Sequence, residues 1–217
     1  MTNSTAMVWG AAGGIGRALV QGLVAEGWRV LAVVHSADDT DGWPEGLLVF
    51  QADVASPYAV DTAVLAAAQE VETIDLWIYA AGDITSVKVA DMAPDTWQRI
   101  VTANLTGAYL ATHASLHLLA RDAHLVYVGA FDERMRLPGL SAYAAAKAGL
   151  EAFVDALRKE ERSRRVTLLR PAAVVTPLWD KVPFRMPRNA LAPEAVVARI
   201  VQAHVEGFSG TLDIEPT

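Results

Sequence analysis

The 217-residue chain has no cysteine. Disulfides, thiolate metal sites and a cysteine nucleophile are therefore excluded. No apolar run approaches the roughly 20 residues that cross a bilayer. The N-terminus lacks the basic, apolar and small-residue order of a secretion signal. Positive charge is also scarce: 18 Lys and Arg stand against 25 Asp and Glu, a net charge of −7. That balance argues against nucleic acid as the main partner. There is no internal repeat, low-complexity tract or interdomain linker, so residues 1–217 read as one domain. These absences lead us to expect a cytoplasmic protein with a small-molecule partner and no membrane contact. What is plentiful is apolar surface: 53% of the residues are hydrophobic and the mean hydropathy is +0.25. That is enough for one large core.

Short apolar runs alternate with longer amphipathic ones. Strands are predicted at Ala6–Trp9, Arg29–Val34, Leu47–Phe50, Ile74–Tyr79, His124–Gly129, Val166–Arg170 and Thr211–Ile214. Helices are predicted at Ile15–Glu26, Pro57–Glu72, Asp95–Ala120, Ala142–Arg162 and Pro193–Val205. Unalternated apolar strands suit a parallel sheet buried on both faces. Their alternation with helices predicts an α/β fold, a doubly wound Rossmann sheet of about seven strands with helices on both faces. Residues 182–193 hold three of the ten prolines and read as a loop or small lid, part of a substrate loop around 177–193.

Two motifs carry chemistry. The first is Gly10-Ala11-Ala12-Gly13-Gly14-Ile15-Gly16, between a predicted strand and a predicted helix. Glycines let the backbone approach a pyrophosphate, and the helix N-terminus offers free N–H groups and a positive dipole end. Such a turn also occurs as a plain strand-to-helix connection. Where the second strand ends, an acid that would bind a ribose 2′-hydroxyl is replaced by Val34, followed by His35 and Ser36. This tilts the expectation toward NADP(H) over NAD(H), with His35 and Ser36 as phosphate contacts. His35 reads equally well as a solvent-facing loop residue.

The second motif is Tyr143 and Lys147, one helical turn apart on one face. A tyrosine hydroxyl, with an ordinary pKa near 10, is a poor acid–base group at neutral pH. A neighbouring ammonium favours the phenolate and would lower that value. Taken alone, the pair is also an ordinary surface pair on an alanine-rich helix. In this order along the chain, the two motifs together point to hydride transfer with a nicotinamide cofactor.

With these motifs the chain resembles the short-chain dehydrogenase/reductase family over almost its whole length. The resemblance implies that Gly10, Gly13, Gly14, Ile15 and Gly16 form the cofactor turn, and that Asp53 and Val54 meet adenine. Ala80, Ala81 and Gly82 match the end of the motif after strand four. Pro171, Val174 and Thr176 belong to the segment that meets the carboxamide. Tyr143 is implied as the proton donor or acceptor, Lys147 as its ribose-binding partner, and Asn104 as the holder of a water in a proton relay. A homodimer or homotetramer is implied through the long helices.

The departures are as specific as the matches. The serine expected thirteen residues before Tyr143 is Ala130. Losing one such hydrogen-bond donor costs about a hundred- to a thousandfold in rate. Ser141 is expected to face elsewhere on the helix. Tyr79 stands for the usual asparagine and Trp9 for the usual Thr or Ser. The quinonoid dihydropteridine reductase branch also lacks the serine. Val8-Trp9-Gly10, Gly129-Ala130, Pro138-Gly139, Thr176-Pro177 and Ser209-Gly210-Thr211-Leu212 resemble it.

The activity expected is that of an NAD(P)(H)-dependent oxidoreductase on a carbonyl or alcohol. One alternative is a C=N reductase of the dihydropteridine type, and another is a cofactor-binding sensor or regulator without catalysis. No metal site is expected, because His113 and His117 lack a third ligand. Trp179, Phe184 and Met186 are candidates for an apolar lid. Arg185 or Arg188 either meets an anionic substrate group or stays solvated. Arg162, Arg164 and Arg165 read as a solvated helix end.

Overall fold

Strand residues Ala6 to Trp9 are wholly buried, and their alternation shows why. Ala6 and Val8 pack into one apolar cluster, Met7 and Trp9 into another on the opposite face. The computed structural model describes residues 4–36, 42–44, 47–131 and 136–216. Its seven strands are β1 (Thr5–Trp9), β2 (Arg29–Val34), β3 (Leu48–Gln51), β4 (Ile74–Tyr79), β5 (Leu119–Val128), β6 (Arg165–Pro171) and β7 (Gly210–Ile214). They form one sheet in the order β3-β2-β1-β4-β5-β6-β7, every pairing parallel. Helices α1 (Gly14–Ala25) and α6 (Pro193–Val205) cover one face. Helices α2 (Pro57–Ala67), α4 (Gly107–Ser115) and α5 (Ser141–Glu160) cover the other. This is the expected doubly wound Rossmann architecture. The strand order reverses between β1 and β4, the place where such sheets open a crevice beyond the carboxyl ends of their strands.

Local chemistry starts and stops the helices. Ser56 caps α2 by accepting a hydrogen bond from the Ala59 N–H at 3.2 Å, with Pro57 at the first helical position. Gly22 on α1 admits the Val197 side chain of α6, which would sit 2.9 Å from a Cβ at that glycine. The helix expected to run to Glu72 ends at Ala67 instead.

The segment read as one helix, Asp95–Ala120, is broken. It consists of α3 (Pro94–Val101), a π-helical stretch (Thr102–Thr106) and α4, and it gives way to β5 at Leu119. Small and apolar residues run through Leu116–Ala120, so periodicity alone does not separate the helix end from the strand start. β5 is therefore longer than the predicted His124–Gly129. It bulges against β4, where Ile74 opposes Leu119 and Leu76 opposes His124.

Arg164 marks this junction. Its guanidinium donates to the carbonyls of Leu116, Leu119 and Ala120 at 3.1–3.3 Å and pairs with Glu161 at 2.5 Å. Arg165 donates to the His204 carbonyl at 2.7 Å. These two arginines are thus structural rather than a solvated helix end: Arg164 binds carbonyls where α4 gives way to β5, and Arg165 binds one at the end of α6. Arg162 is exposed, as expected, and donates to the Lys159 carbonyl.

Candidate functional site

The glycine turn after β1 is shaped by close backbone approach. Gly10 has φ +77°, and a Cβ there would lie 2.5 Å from the Ala81 backbone. The amides of Gly10 and Ala11 both donate to the Val33 carbonyl at 3.0 Å. The turn is therefore wedged between the ends of β2 and β4. A Cβ on Gly16 would collide with the Gly10 carbonyl, and one on Gly14 would lie 2.7 Å from Thr176 Cγ2. Helix α1 begins without a side-chain cap and without an acid in its first turn. Its first amides are left for an external acceptor, and its dipole favours an anion.

At the other end of the crevice, α5 presents Tyr143 and Lys147. The Lys147 ammonium lies 5.7 Å from the centre of the Tyr143 ring and donates to the Val128 carbonyl at 2.9 Å. Lys147 is 8% exposed, and burial pushes its pKa down to about 8. Burial pushes Tyr143 up to about 12. This corrects the expectation that the ammonium lowers the tyrosine. Here the desolvation of the buried phenolate outweighs the attraction of the nearby ammonium.

Asn104 sits in the π-helical stretch and is fully buried. Its Nδ2 donates to the carbonyls of Asp83 at 2.6 Å and Ile100 at 2.8 Å, while its Oδ1 has no partner. A Cβ on Gly82 would lie 2.8 Å from that oxygen and 3.9 Å from Lys147 Nζ. The absence of a side chain at Gly82 thus keeps open the space that Asn104 and Lys147 share. The π turn is supported from β4. The Gly107 amide donates to Thr102, which deprives the Ala103 carbonyl of its usual helical partner. The Tyr79 hydroxyl donates to that carbonyl at 2.8 Å. Gly107 makes room for it, since a Cβ there would lie 2.5 Å from the hydroxyl.

Both ends open into one cleft of about 1280 Å³. Every site residue named from the sequence lines it except Gly16, buried under the turn, and Ser36. Ala130 lines it too, so the departure from serine falls at the site itself. Ser141 does not line it, and its Oγ is buried without a partner. It cannot replace the missing donor. Trp179, Phe184 and Met186 all line the cleft, and Trp179 is anchored by a 2.9 Å bond from its Nε1 to the Val174 carbonyl. His113 stacks on Tyr109 outside the cleft.

Sequence reasoning missed Asp83. It follows Gly82 directly, and its carboxylate pairs with Arg99 from α3 and with Lys181, at 2.7 Å, from the 3₁₀ turn Pro177–Lys181. These pairs tie the segment after Thr176 to the segment after β4. The nearest sequence signal was its place beside Gly82, and a lone acid in a loop carries no spacing pattern.

The model of the short chain dehydrogenase family matches residues 4–185. The chain belongs to the short-chain dehydrogenase/reductase family. Among its relatives in this oxidoreductase family is a 3-oxoacyl-[acyl-carrier-protein] reductase of Synechocystis sp., 30% identical over 197 residues, which make up 84% of this chain and 78% of that one. An acetoacetyl-CoA reductase of Shinella zoogloeoides is 27% identical over 204 residues, covering 90% and 84% of the two chains. In fold, the chain is similar to a short-chain dehydrogenase/reductase of Serratia marcescens, with TM-score 0.86, 22% identity and coverage of 98% and 96%. It is also similar to a 3-ketoacyl-(acyl-carrier-protein) reductase of Brucella melitensis complexed with NADH, with TM-score 0.85, 22% identity and coverage of 97% and 96%.

Short-chain dehydrogenases/reductases bind NAD(P)(H), and the residues present fit such a group. The glycine positions leave a cradle that a Cβ would fill, the N-terminus of α1 is uncapped, and Asn104 Oδ1 is an orphaned acceptor in the same cleft. Among the described residues no helix is long and apolar enough to cross a membrane.

Proposed function

We propose that this chain is an NAD(P)(H)-dependent oxidoreductase that moves hydride between nicotinamide and a carbonyl or alcohol, with Tyr143 as the acid–base group. The observation that carries the reading is the meeting of Tyr143, Lys147 and Asn104 in the cleft that begins at the glycine turn. In this reading Gly10, Gly13, Gly14, Ile15 and Gly16 hold the pyrophosphate, and Asp53 and Val54 the adenine. His35 and Ser36 meet the adenosine ribose or its phosphate. Ala80, Ala81 and Gly82 line the path of the cofactor. Lys147 binds the nicotinamide ribose, and Pro171, Val174 and Thr176 meet the carboxamide. The bound dinucleotide supplies hydride in reduction and accepts it in oxidation.

Every other step belongs to the chain. Tyr143 is kept neutral by burial, so its hydroxyl is a ready donor to an oxygen that gains negative charge. In oxidation it must first lose its proton, and the nearby Lys147 ammonium favours that loss. Asn104 uses both its N–H groups on backbone carbonyls, which aims the free Oδ1 at a water for proton relay. The absence of an acid after β2 favours NADP(H) over NAD(H). The names of the two relatives, a 3-oxoacyl and an acetoacetyl reductase, favour a carbonyl substrate taken in the reducing direction. The substrate loop is residues 177–193. The protein is a cytoplasmic homo-oligomer in this reading.

A second reading rests on Ala130. Without a side-chain donor at that position, a C=N group protonated directly by Tyr143 is served as well as a carbonyl. This is the chemistry of a dihydropteridine-type reductase.

The test combines turnover and binding. Tyr143→Phe is expected to lower reduction of a carbonyl panel by about a hundred- to ten-thousandfold. NADPH and NADH should still raise its melting temperature as they raise that of the parent, the larger shift marking the preferred cofactor. Full turnover in Tyr143→Phe would remove the assignment. A cofactor-induced shift with no turnover of carbonyls or dihydropterins by the parent chain would leave a binding protein on the same fold.

A further inference from the structure

We infer that the substrate carries an oxyanion on an apolar body, and that Arg185 and Arg188 receive that anion. This rests on the oxidoreductase reading of the cleft. The chain as a whole has a net charge of −7, yet five cations and three carboxylates line the cleft. Their distribution is uneven. Asp53 lies with the glycine-turn half, beyond β3. Lys147 is committed to Tyr143 and the Val128 carbonyl. Asp83 is shared between Arg99 and Lys181, and Asp95 stands in the first turn of α3, where the positive end of the helix favours it. Arg185 and Arg188 remain, and among the described residues neither makes an ion pair or a side-chain hydrogen bond.

Both arginines stand on the loop that also carries Phe184 and Met186 into the cleft, while Ile84, Leu137 and Leu140 add apolar lining from other segments. A cleft of about 1280 Å³ exceeds the roughly 300–1,000 Å³ of ordinary ligand pockets, which leaves room for a second ligand beside a dinucleotide. The dinucleotide's own phosphates are provided for at the uncapped start of α1. Two further cations on the loop are therefore in excess of what the cofactor needs. A guanidinium matches a carboxylate or phosphate with paired N–H donors, and the neighbouring apolar side chains suit a chain rather than a polar ring.

The test has two arms, both on the full chain saturated with NADPH and at low ionic strength, where exposed charges are least screened. In the first, unreactive octanoate is compared with octanamide by calorimetry. Octanoate is expected to bind about tenfold or more tightly than octanamide. In the double variant Arg185→Gln, Arg188→Gln the two should bind alike, with the NADPH dissociation constant unchanged. Equal binding by the parent chain would overturn the inference, as would a preference that survives in the variant. A loss of NADPH affinity in step with the loss of octanoate would also overturn it, because the arginines would then serve the cofactor.

The second arm measures reduction of the neutral methyl 3-oxooctanoate by the parent chain and by Tyr143→Phe. Turnover lost in the variant supports the oxidoreductase reading. Absence of turnover with the octanoate preference intact would sink that reading and leave the oxyanion site standing.

Discussion

His124 is wholly buried beneath the sheet's amino end, and its proton can be placed. The Thr167 hydroxyl donates to the Phe208 carbonyl at 3.2 Å. The 2.8 Å contact between Thr167 Oγ1 and His124 Nε2 must then be donated by the imidazole. Nδ1 is left bare, with no partner. A second proton would create an N–H with no acceptor, and burial pushes the group down to about 3, helped by Arg165 and by His204. The His204 ring stacks on it at 5.6 Å and is itself lowered, first by burial. The sign follows. Above the ordinary pKa of 6.5 neither state holds the extra proton, and the contribution to stability is complete. As the pH falls from there toward 3, the unfolded chain takes a proton that the folded chain refuses, and stability is lost at about 1.4 kcal/mol per pH unit. Urea unfolding between pH 7 and pH 5 should show a shallower loss in His124→Gln than in the parent chain. Identical slopes would show that His124 does not titrate on unfolding.

Among the elements, the π-helical stretch carries the most consequence. It places Asn104 in the cleft, and Tyr79 holds it from β4. Removing the hydroxyl in Tyr79→Phe leaves the part-buried Ala103 carbonyl without its donor, at a cost of about 1–3 kcal/mol. The expected result is a lower kcat with cofactor affinity retained, accompanied by faster amide exchange across residues 102–106. Unchanged kcat and exchange would mean that the stretch holds its shape without Tyr79. Asn104 was marked by the resemblance, but the π turn that carries it and its support by Tyr79 were not legible in the sequence. Tyr79 reads only as a departure from the usual asparagine at the end of a strand, and a π turn leaves no mark on helical periodicity. By contrast, the strands were legible, because apolar runs such as Val30–Val34 must be covered on both faces. The glycine turn was legible because Gly10 and Gly16 stand where any Cβ would strike backbone. The charged ties of Asp83 and Arg164 were not, since both depend on segments distant in the chain.

At the scale of the whole molecule, α4 and α5 leave an aromatic patch uncovered. Tyr109 is 48% exposed, stacks on His113 and meets Phe153 edge-on. A second copy of the chain placed over this patch would take the exposed face of Tyr109 out of water. A stable pair needs about 1,200 Å² or more of buried surface, and a charge at its centre is costly to desolvate. Sedimentation should find the parent chain as a dimer or tetramer, and Tyr109→Glu as a smaller species with its fold intact. An unchanged mass would move the contact to another face.

The strand order also dictates how the chain must be assembled. β1 precedes all other strands, yet it lies in the interior of the sheet, between β2 and β4. One of its edges closes when Arg29–Val34 is made, and the other waits for Ile74–Tyr79. Until then the nascent half-sheet shows an unpaired and mostly apolar edge, a template for pairing with the wrong chain. The same central strand that anchors the glycine turn is therefore the part of the newborn polypeptide most in need of shelter.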